Sequence, residues 1–327
     1  MSLQKIAPLW REKQRLTFTK MHELARFLEL SQESLACIDT SPRFILNLPY
    51  RLAEKISKDN PNDPIFLQFV PLKKEKEHSA GFIVDPVLDH TFVSTGSLLH
   101  KYEGRALIVT TGACAMNCRY CFRQNYDYQA SDKQFTKELT QIENEKSIEE
   151  VILSGGDPLS LSDSTLQLLL ERLSTITHVK RIRFHTRFPM GIPERIDSSF
   201  LSLLKSVKKQ IWFVIHANHP NEFDDTIWAA LKEIQCLGIP VLCQSVLLKG
   251  INDDLDTLKK LSSDLVEHGV LPYYLHQLDK VQGAAHFEVP IATGKALIQA
   301  LTSCSSGYAV PKYVQEIAGK ESKTPLS

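Results

Sequence analysis

From about residue 105 onward, short apolar runs alternate with stretches of helical apolar spacing, and this rhythm leaves few folds open. Runs at 105–110, 150–153, 181–185, 211–216, 241–247 and 272–276 read as strands. The stretches 136–145, 163–173, 193–207, 222–236, 255–268 and 293–303 read as helices. Strands separated by helices of this length predict βαβ units around a parallel sheet, joined by right-handed crossovers. Six such units suit an open barrel of about six strands better than a closed one of about eight.

The polar residues fall where such a fold places chemistry, at the C-terminal ends of the strands. The first strand runs into Cys114-Ala-Met-Asn-Cys118-Arg-Tyr-Cys121, and the second into Ser154-Gly155-Gly156-Asp157. The third ends in His185-Thr-Arg187 and the fourth in His216-Ala-Asn-His219. Gln244 lies in the fifth, and the sixth leads to His276 and Asp279. A lone strand-end histidine is more often structural than catalytic, and a Ser-Gly-Gly-Asp turn can be a plain βα connection. Six polar endings on one rim point to a site. The two glycines are suited to letting the backbone approach a ligand closely.

Three cysteines at C-x3-C-x2-C spacing are suited to a metal, since clustered free thiols are reactive. Structural zinc and closed iron–sulfur clusters use four protein ligands. Two readings follow: zinc completed by His100 or a more distant ligand, or a [4Fe–4S] cluster with one open iron. The other four cysteines, Cys37, Cys236, Cys243 and Cys304, are isolated and read as buried thiols in a reducing compartment.

Residues 1–97 read as a mainly helical extension. Helical spacing over 21–30 has Thr19 as its cap, a second short helix starts at Pro49, and Asn60-Pro-Asn-Asp-Pro64 marks a turn. The charged run Lys73-Lys-Glu-Lys-Glu77 reads as solvated surface, and no chemistry is evident in the extension. With 38 basic and 38 acidic residues there is no field for gripping nucleic acid. No apolar run reaches the roughly 20 residues that cross a bilayer. The N-terminus has no signal-peptide core, so a cytoplasmic protein is expected.

The cysteine spacing followed by an aromatic residue, with Ser-Gly-Gly-Asp one βα unit later, resembles the radical S-adenosylmethionine superfamily. Within it, Cys118-Arg-Tyr-Cys-Phe-Arg123, Asn218-His-Pro-Asn-Glu222, Gln244-Ser-Val-Leu-Leu248, Pro272-Tyr-Tyr274, Ser306-Gly-Tyr308 and Lys323-Thr-Pro325 resemble lysine 2,3-aminomutases. Leu98-Leu-His-Lys-Tyr102 and Leu278-Asp-Lys-Val-Gln-Gly-Ala-Ala-His-Phe287 extend the likeness to the branch that makes (R)-β-lysine for elongation factor P, the EpmB enzymes.

This resemblance implies an α/β fold: a partial (β/α)6 barrel over 98–310, and a segment 311–327 carrying a lysine for pyridoxal 5′-phosphate. It implies that Cys114, Cys118 and Cys121 ligate a [4Fe–4S] cluster whose open iron takes S-adenosyl-L-methionine. That cofactor would be held by Ser154, Gly155, Gly156, Asp157, His216 and Gln244. Lys323 would be the catalytic lysine that forms a Schiff base with pyridoxal phosphate, with Lys101 and Arg105 on the phosphate. Arg123 would pair with the carboxylate of L-lysine, and Asp279 and Glu316 would receive its ε-ammonium.

The implied reaction begins when one electron, from a donor such as flavodoxin, cleaves S-adenosylmethionine. The resulting 5′-deoxyadenosyl radical takes hydrogen from C3 of lysine, and the amino nitrogen moves from C2 to C3. A ligase would then attach the product to elongation factor P. Glu316 stands where free-lysine mutases carry Asp, and their zinc-binding cysteines are missing after Lys323 and near Asn252. A zinc-linked dimer is therefore not expected, and another homo-oligomer stays open. The alternative is a free-standing metabolic aminomutase acting on lysine or another amino acid.

Overall fold

A computed structural model describes residues 8–128 and 132–327. Ten strands form one sheet in sequential order: β1 (Val93–Thr95), β2 (Leu98–Tyr102), β3 (Arg105–Val109), β4 (Glu150–Ser154), β5 (Arg181–Thr186), β6 (Gln210–His216), β7 (Val241–Val246), β8 (Leu271–His276), β9 (Lys312–Gln315) and β10 (Thr324–Pro325). From β3 to β9 neighbours are parallel, while β1, β2 and β10 add antiparallel edges. The six expected strands are β3 to β8. β1 and β10 are the two ends of the order, so the barrel is open.

Before the sheet come α1 (Leu9–Arg15), α2 (Met21–Phe27), α3 (Gln32–Ala36), α4 (Tyr50–Glu54) and α5 (Pro64–Phe69). Within it come α6 (Thr136–Asn144), α7 (Asp163–Thr175), α8 (Phe188–Gly191), α9 (Ser198–Ser206), α10 (Asp225–Cys236), α11 (Leu255–Glu267) and α12 (Ile291–Cys304). Side-chain caps set several starts: Ser162, Asp197, Asp224 and Asp254 each accept from a backbone N–H in the first turn of α7, α9, α10 and α11. The caps at Asp197 and Asp224 shorten the helices expected over 193–207 and 222–236, whose first residues form 3₁₀ turns instead. Among the described residues no helix is long and apolar enough to cross a membrane.

The two-residue period of each strand separates barrel interior from helix layer. On β5, Ile182 and Phe184 are buried against the helices, with Phe184 edge-on to Phe200 of α9 at 6.3 Å. Arg183 and His185 alternate to the inside. Parallel register then sets inner residues side by side, Ile152 by Arg183 and His216 by Gln244.

Several expectations are corrected. The α2 cap is Lys20, not Thr19, and it makes no side-chain capping bond. The 73–77 run is not uniformly solvated, because Glu75 turns inward to the buried guanidinium of Arg119. Of the four isolated cysteines only Cys243 is buried. Cys37, Cys236 and Cys304 are exposed, each at the C-terminal end of a helix on the side away from the core. The extension expected over 1–97 packs directly on the barrel. One apolar core runs from Trp10 and Leu24 through Phe66 and Phe69 into the barrel helices, and the sheet begins before residue 98 and continues past 310.

At the other end of the sheet α12 lies close on β9. A Cβ on Gly294 would meet the Tyr313 hydroxyl at 2.2 Å, and Tyr313 is fully buried with its hydroxyl donating to Gln277. Gly294→Ala is expected to lose a net of about 1–2 kcal/mol, because overpacking outweighs the gain in helix propensity. Urea unfolding checks this: an unchanged or raised midpoint would show that α12 can shift freely from β9.

Candidate active site

The C-terminal ends of the parallel strands open into a cavity of about 330 Å³, within the size range of ligand pockets. Every site residue that the resemblance implies lines it: the three cysteines, residues 154–157, His216, Gln244, Lys101, Arg105, Arg123, Asp279, Glu316 and Lys323, whereas His100 and His219 do not.

The cysteine loop has no regular secondary structure and is pinned from outside. Asn47 donates to the Cys114 carbonyl (3.2 Å) and accepts at its own carbonyl from Asn117 N–H (2.9 Å). Arg119 donates from its backbone to Gln68 O (2.8 Å) and from its side chain to Glu75 and the Phe44 carbonyl (2.7 Å). From inside, Arg187 reaches Cys118 Sγ at 3.1 Å, while its other terminal nitrogen bonds Glu222 (2.7 Å) and Gln68 (2.6 Å). Burial, with Asp157 and the neighbouring thiols adding, pushes the Cys114 thiol well above its ordinary range, and burial with Cys118 pushes Cys121 up to about 12. Three thiols gathered in one half-buried loop suit a cationic metal group, whose charge would hold them as thiolates. Among the described residues no three His, Cys, Asp or Glu side chains are arranged for one metal ion. Three thiolates without a fourth suit an iron–sulfur cluster, in which separate irons take separate thiolates.

The Ser154–Asp157 turn is committed to the protein itself. Gly156 N–H donates to Thr111 O (2.6 Å) and Asp157 N–H to Ala113 O (2.8 Å). A Cβ on Gly156 would lie 2.3 Å from Ala113 O, and Gly155 has φ +119°. The glycines let this turn press on the cysteine loop, a closer constraint than the ligand approach expected from the sequence. The Asp157 carboxylate accepts from Thr186 Oγ1 and from the backbone of Leu159, Arg187 and Phe188. Burial lifts it to about 6 against the pull of these donors. It ties the second strand end to the third, and only the rim of the turn is left to face a cofactor.

Further along the rim, in-register pairing puts His216 Nε2 and Gln244 Nε2 2.7 Å apart. Burial, with Arg187 adding, lowers His216 to about 3, and burial holds His185 and His276 neutral as well. The Nε2 atoms of His185 and His276 are buried in the cavity wall and have no partner among the described residues. Unpaired buried polar atoms are costly, so these two mark where a bound molecule would complete the site.

At the far side Glu316 is shared. It accepts from Lys323 (2.9 Å), Lys101 (2.5 Å) and the Tyr102 hydroxyl. Burial alone would raise it, but Lys323, Lys101 and Tyr102 together hold it at about 2. Asp279 is lifted to about 7 by burial, with Lys323 opposing and Glu316 adding. Lys101, expected on a phosphate, thus sits on Glu316. Arg105, stacked over Tyr102 at 4.4 Å, has no carboxylate partner among the described residues.

Arg123 is buried and gives Nε to Asp89 (2.7 Å). Its terminal nitrogens make no hydrogen bond among the described residues, which leaves the fork free toward the cavity. Asp89, Gln68 and Glu75 were missed in the sequence because they lie in the extension, outside any strand end. Arg187 was noticed as a strand-end residue, but only the fold shows that it touches a cysteine.

Comparison with known proteins agrees with this geometry. Residues 108–261 match the Radical SAM superfamily model. The fold is similar to that of Streptococcus suis SuiB bound to S-adenosylmethionine, at 16% identity and TM-score 0.50, over 70% of this chain and 53% of that one. The protein is a radical SAM enzyme, of the class that binds a [4Fe–4S] cluster and S-adenosylmethionine. It is 44% identical over 284 residues to an L-lysine 2,3-aminomutase of Haemophilus influenzae, covering 86% of this chain and 84% of the relative. It is 41% identical over 313 residues to that of Escherichia coli, covering 94% and 91%. The chain belongs to the L-lysine 2,3-aminomutase family, as the motifs implied.

The shared Glu316 makes a pH test. Because its pKa is depressed in the folded protein, its contribution is present above the ordinary glutamate value of 4.5 and is lost as pH falls through about 2. Glu316→Gln is expected to be less stable than the parent at pH 6, and the gap should narrow steadily below pH 4.5 (denaturant melts at each pH). A gap that does not change with pH would remove the ion-pair assignment.

Proposed function

We propose that the enzyme converts L-lysine to (R)-β-lysine, using the [4Fe–4S] cluster, S-adenosylmethionine and pyridoxal 5′-phosphate, and that the product supplies modification of elongation factor P. The observation that carries the substrate is the charge layout of one cavity. A free guanidinium fork at Arg123 suits a carboxylate, and two acids, Asp279 and Glu316, suit a terminal ammonium. The relatives of 44% and 41% identity, which bear the name L-lysine 2,3-aminomutase, support the same substrate. Likeness at 98–102 and 278–287 to the elongation-factor-modifying branch supports the destination of the product.

When bound, the cluster and S-adenosylmethionine supply a carbon radical able to take hydrogen from an unactivated C–H bond, and pyridoxal phosphate supplies a carrier for a migrating amino nitrogen. The residues of this chain do the holding. Cys114, Cys118 and Cys121 would ligate the cluster and leave one iron for S-adenosylmethionine. The rim of residues 154–157, with His216 and Gln244, lines the space beside it. Lys323, on the strand-bearing tail, would carry pyridoxal phosphate, and Arg105 is the available cation for its phosphate. Glu316, which accepts from both Lys101 and Lys323, would hold the cofactor lysine in place and offer a carboxylate to the substrate's ammonium. Asp89 fixes the Arg123 plane through Nε, so that the terminal nitrogens meet a carboxylate as a fork. The strand ends and the extension wall keep water from the radical.

Anaerobic reconstitution should give about four irons and four sulfides per chain, as a single four-iron cluster requires. Incubation with reductant, S-adenosylmethionine, pyridoxal phosphate and L-lysine should then yield β-lysine of R configuration by chiral chromatography. Zinc without sulfide, or no β-amino product from any common amino acid, would end this reading. Lys323→Ala should lose the visible absorbance of lysine-linked pyridoxal. Arg123→Lys keeps the charge and loses the fork, so KM for lysine should rise about 10- to 100-fold, the equivalent of one or two charged hydrogen bonds. An unchanged KM would move the carboxylate site elsewhere.

A further inference from the structure

On one side the cysteine loop is covered by backbone of the N-terminal extension. The cover is the segment around residue 45, hydrogen-bonded straight onto the loop. Ile45 O accepts from Asn117 Nδ2 at 3.0 Å, and Asn117 is joined by one peptide link to Cys118. Asn47 Nδ2 donates to the Cys114 carbonyl. Ile45 itself is 63% exposed, a large apolar side chain in water on a residue whose carbonyl bonds the loop.

The surroundings of Ile45 are basic. Arg119 is buried beneath and ties the segment to the 3₁₀ turn Lys73–Lys76, bonding Phe44 O on one side and Glu75 on the other. That turn exposes Lys73 and Lys74, and Arg43 is exposed two residues before Ile45. Lys76 is neutralised by Asp39 (2.8 Å), whereas Arg43, Lys73 and Lys74 have no carboxylate partner among the described residues. Glu77 is the one exposed acid of the run 73–77. A chain with no net charge overall thus gathers unpaired cations around an exposed apolar residue, beside its metal-binding loop.

We propose that this face, centred on Ile45 and rimmed by Arg43, Lys73 and Lys74, is where an acidic flavin-bearing donor protein docks to deliver single electrons to the group held by the three cysteines. The proposal rests on the radical SAM reading, which requires one electron per cleavage. Charge complementarity selects an acidic partner and speeds its encounter. The apolar centre suits the exposed dimethylbenzene edge of a flavin, which packs on a hydrocarbon side chain and excludes water from the contact. In the transfer the reduced flavin loses one electron and becomes the semiquinone, and the cluster gains that electron. No bond in this chain forms or breaks.

The test uses the full-length, cluster-loaded protein and a flavodoxin as probe. Three variants are compared with the parent: the double charge reversal Lys73→Glu with Lys74→Glu, Ile45→Asp, and a remote control, Lys232→Glu on the outer helix α10. Binding is read by calorimetry with oxidised flavodoxin, and cluster reduction by stopped-flow absorbance with the hydroquinone. The lysine pair and Ile45→Asp should each weaken binding about tenfold or more and slow cluster reduction in proportion, with a salt dependence that the lysine pair reduces. Lys232→Glu should do neither, and product formation driven by dithionite should be unchanged in all three. Equal effects from Lys232→Glu, or no effect from the face variants, would overturn the docking site. Tighter, face-dependent binding of a ferredoxin than of the flavodoxin would overturn the flavin occupant. Absence of product with dithionite in the parent would count against the proposed function alone, since binding and cluster reduction do not depend on it.

Discussion

The site depends on a buried ion pair, Arg187 with Glu222. Glu222 is fully buried and Arg187 nearly so, and charges taken that far from water persist only when every lone pair and proton is engaged. Here they are nearly so. Glu222 accepts from Asn218 N–H, His219 N–H, Gln68 and Arg187, and Arg187 completes its fork on Gln68 and the Cys118 thiol. One pair therefore joins the end of β5, the turn after β6, helix α5 and the cysteine loop. Removing either partner leaves an uncompensated charge in the core, so the four pieces hold their places together or not at all.

The same interaction explains why the N-terminal extension is part of the catalytic body. Gln68 is supplied by α5, whose start is fixed by the Asp63 side chain capping Ile65 and Phe66. Asp89 comes from the turn before β1 and fixes Arg123, and Asn47 and Glu75 brace the cysteine loop from outside. The loop that brings three thiols together has little regular structure to hold it. The extension supplies the donors and acceptors that a helix or strand would otherwise have provided.

What the sequence made legible, and what it did not, follows from the same physics. The strands were visible because buried parallel strands are short apolar runs bounded by turn residues, and each boundary in the barrel held to within a residue or two. The cysteine spacing and the Ser-Gly-Gly-Asp turn were visible because they are local. Contacts between distant segments left no local mark. Asp89 sits in a stretch without periodicity, and Glu75 is hidden in a run of lysines whose composition reads as surface. Cys236 and Cys304 look apolar by pattern, yet a helix's last turn can leave the core that its middle packs against. The two glycines were recognised, but their neighbour is the protein's own backbone at Thr111 and Ala113 rather than a ligand.

The tail shows how a small element can complete a large site. β10 is two residues long and would not stand alone, but it pairs antiparallel with β9, and β9 extends the parallel sheet from β8. The hairpin thereby carries Glu316 and Lys323 back over the cavity to Lys101 and Tyr102 on β2, at the opposite edge of the open sheet. A closed barrel would join those edges by backbone hydrogen bonds and fill the gap. Here side chains bridge it, and side-chain bridges can exchange partners: Glu316 can give up one lysine and accept another cation without any strand moving. The edges of this open barrel are therefore laced by exchangeable ion pairs rather than by a fixed backbone ladder.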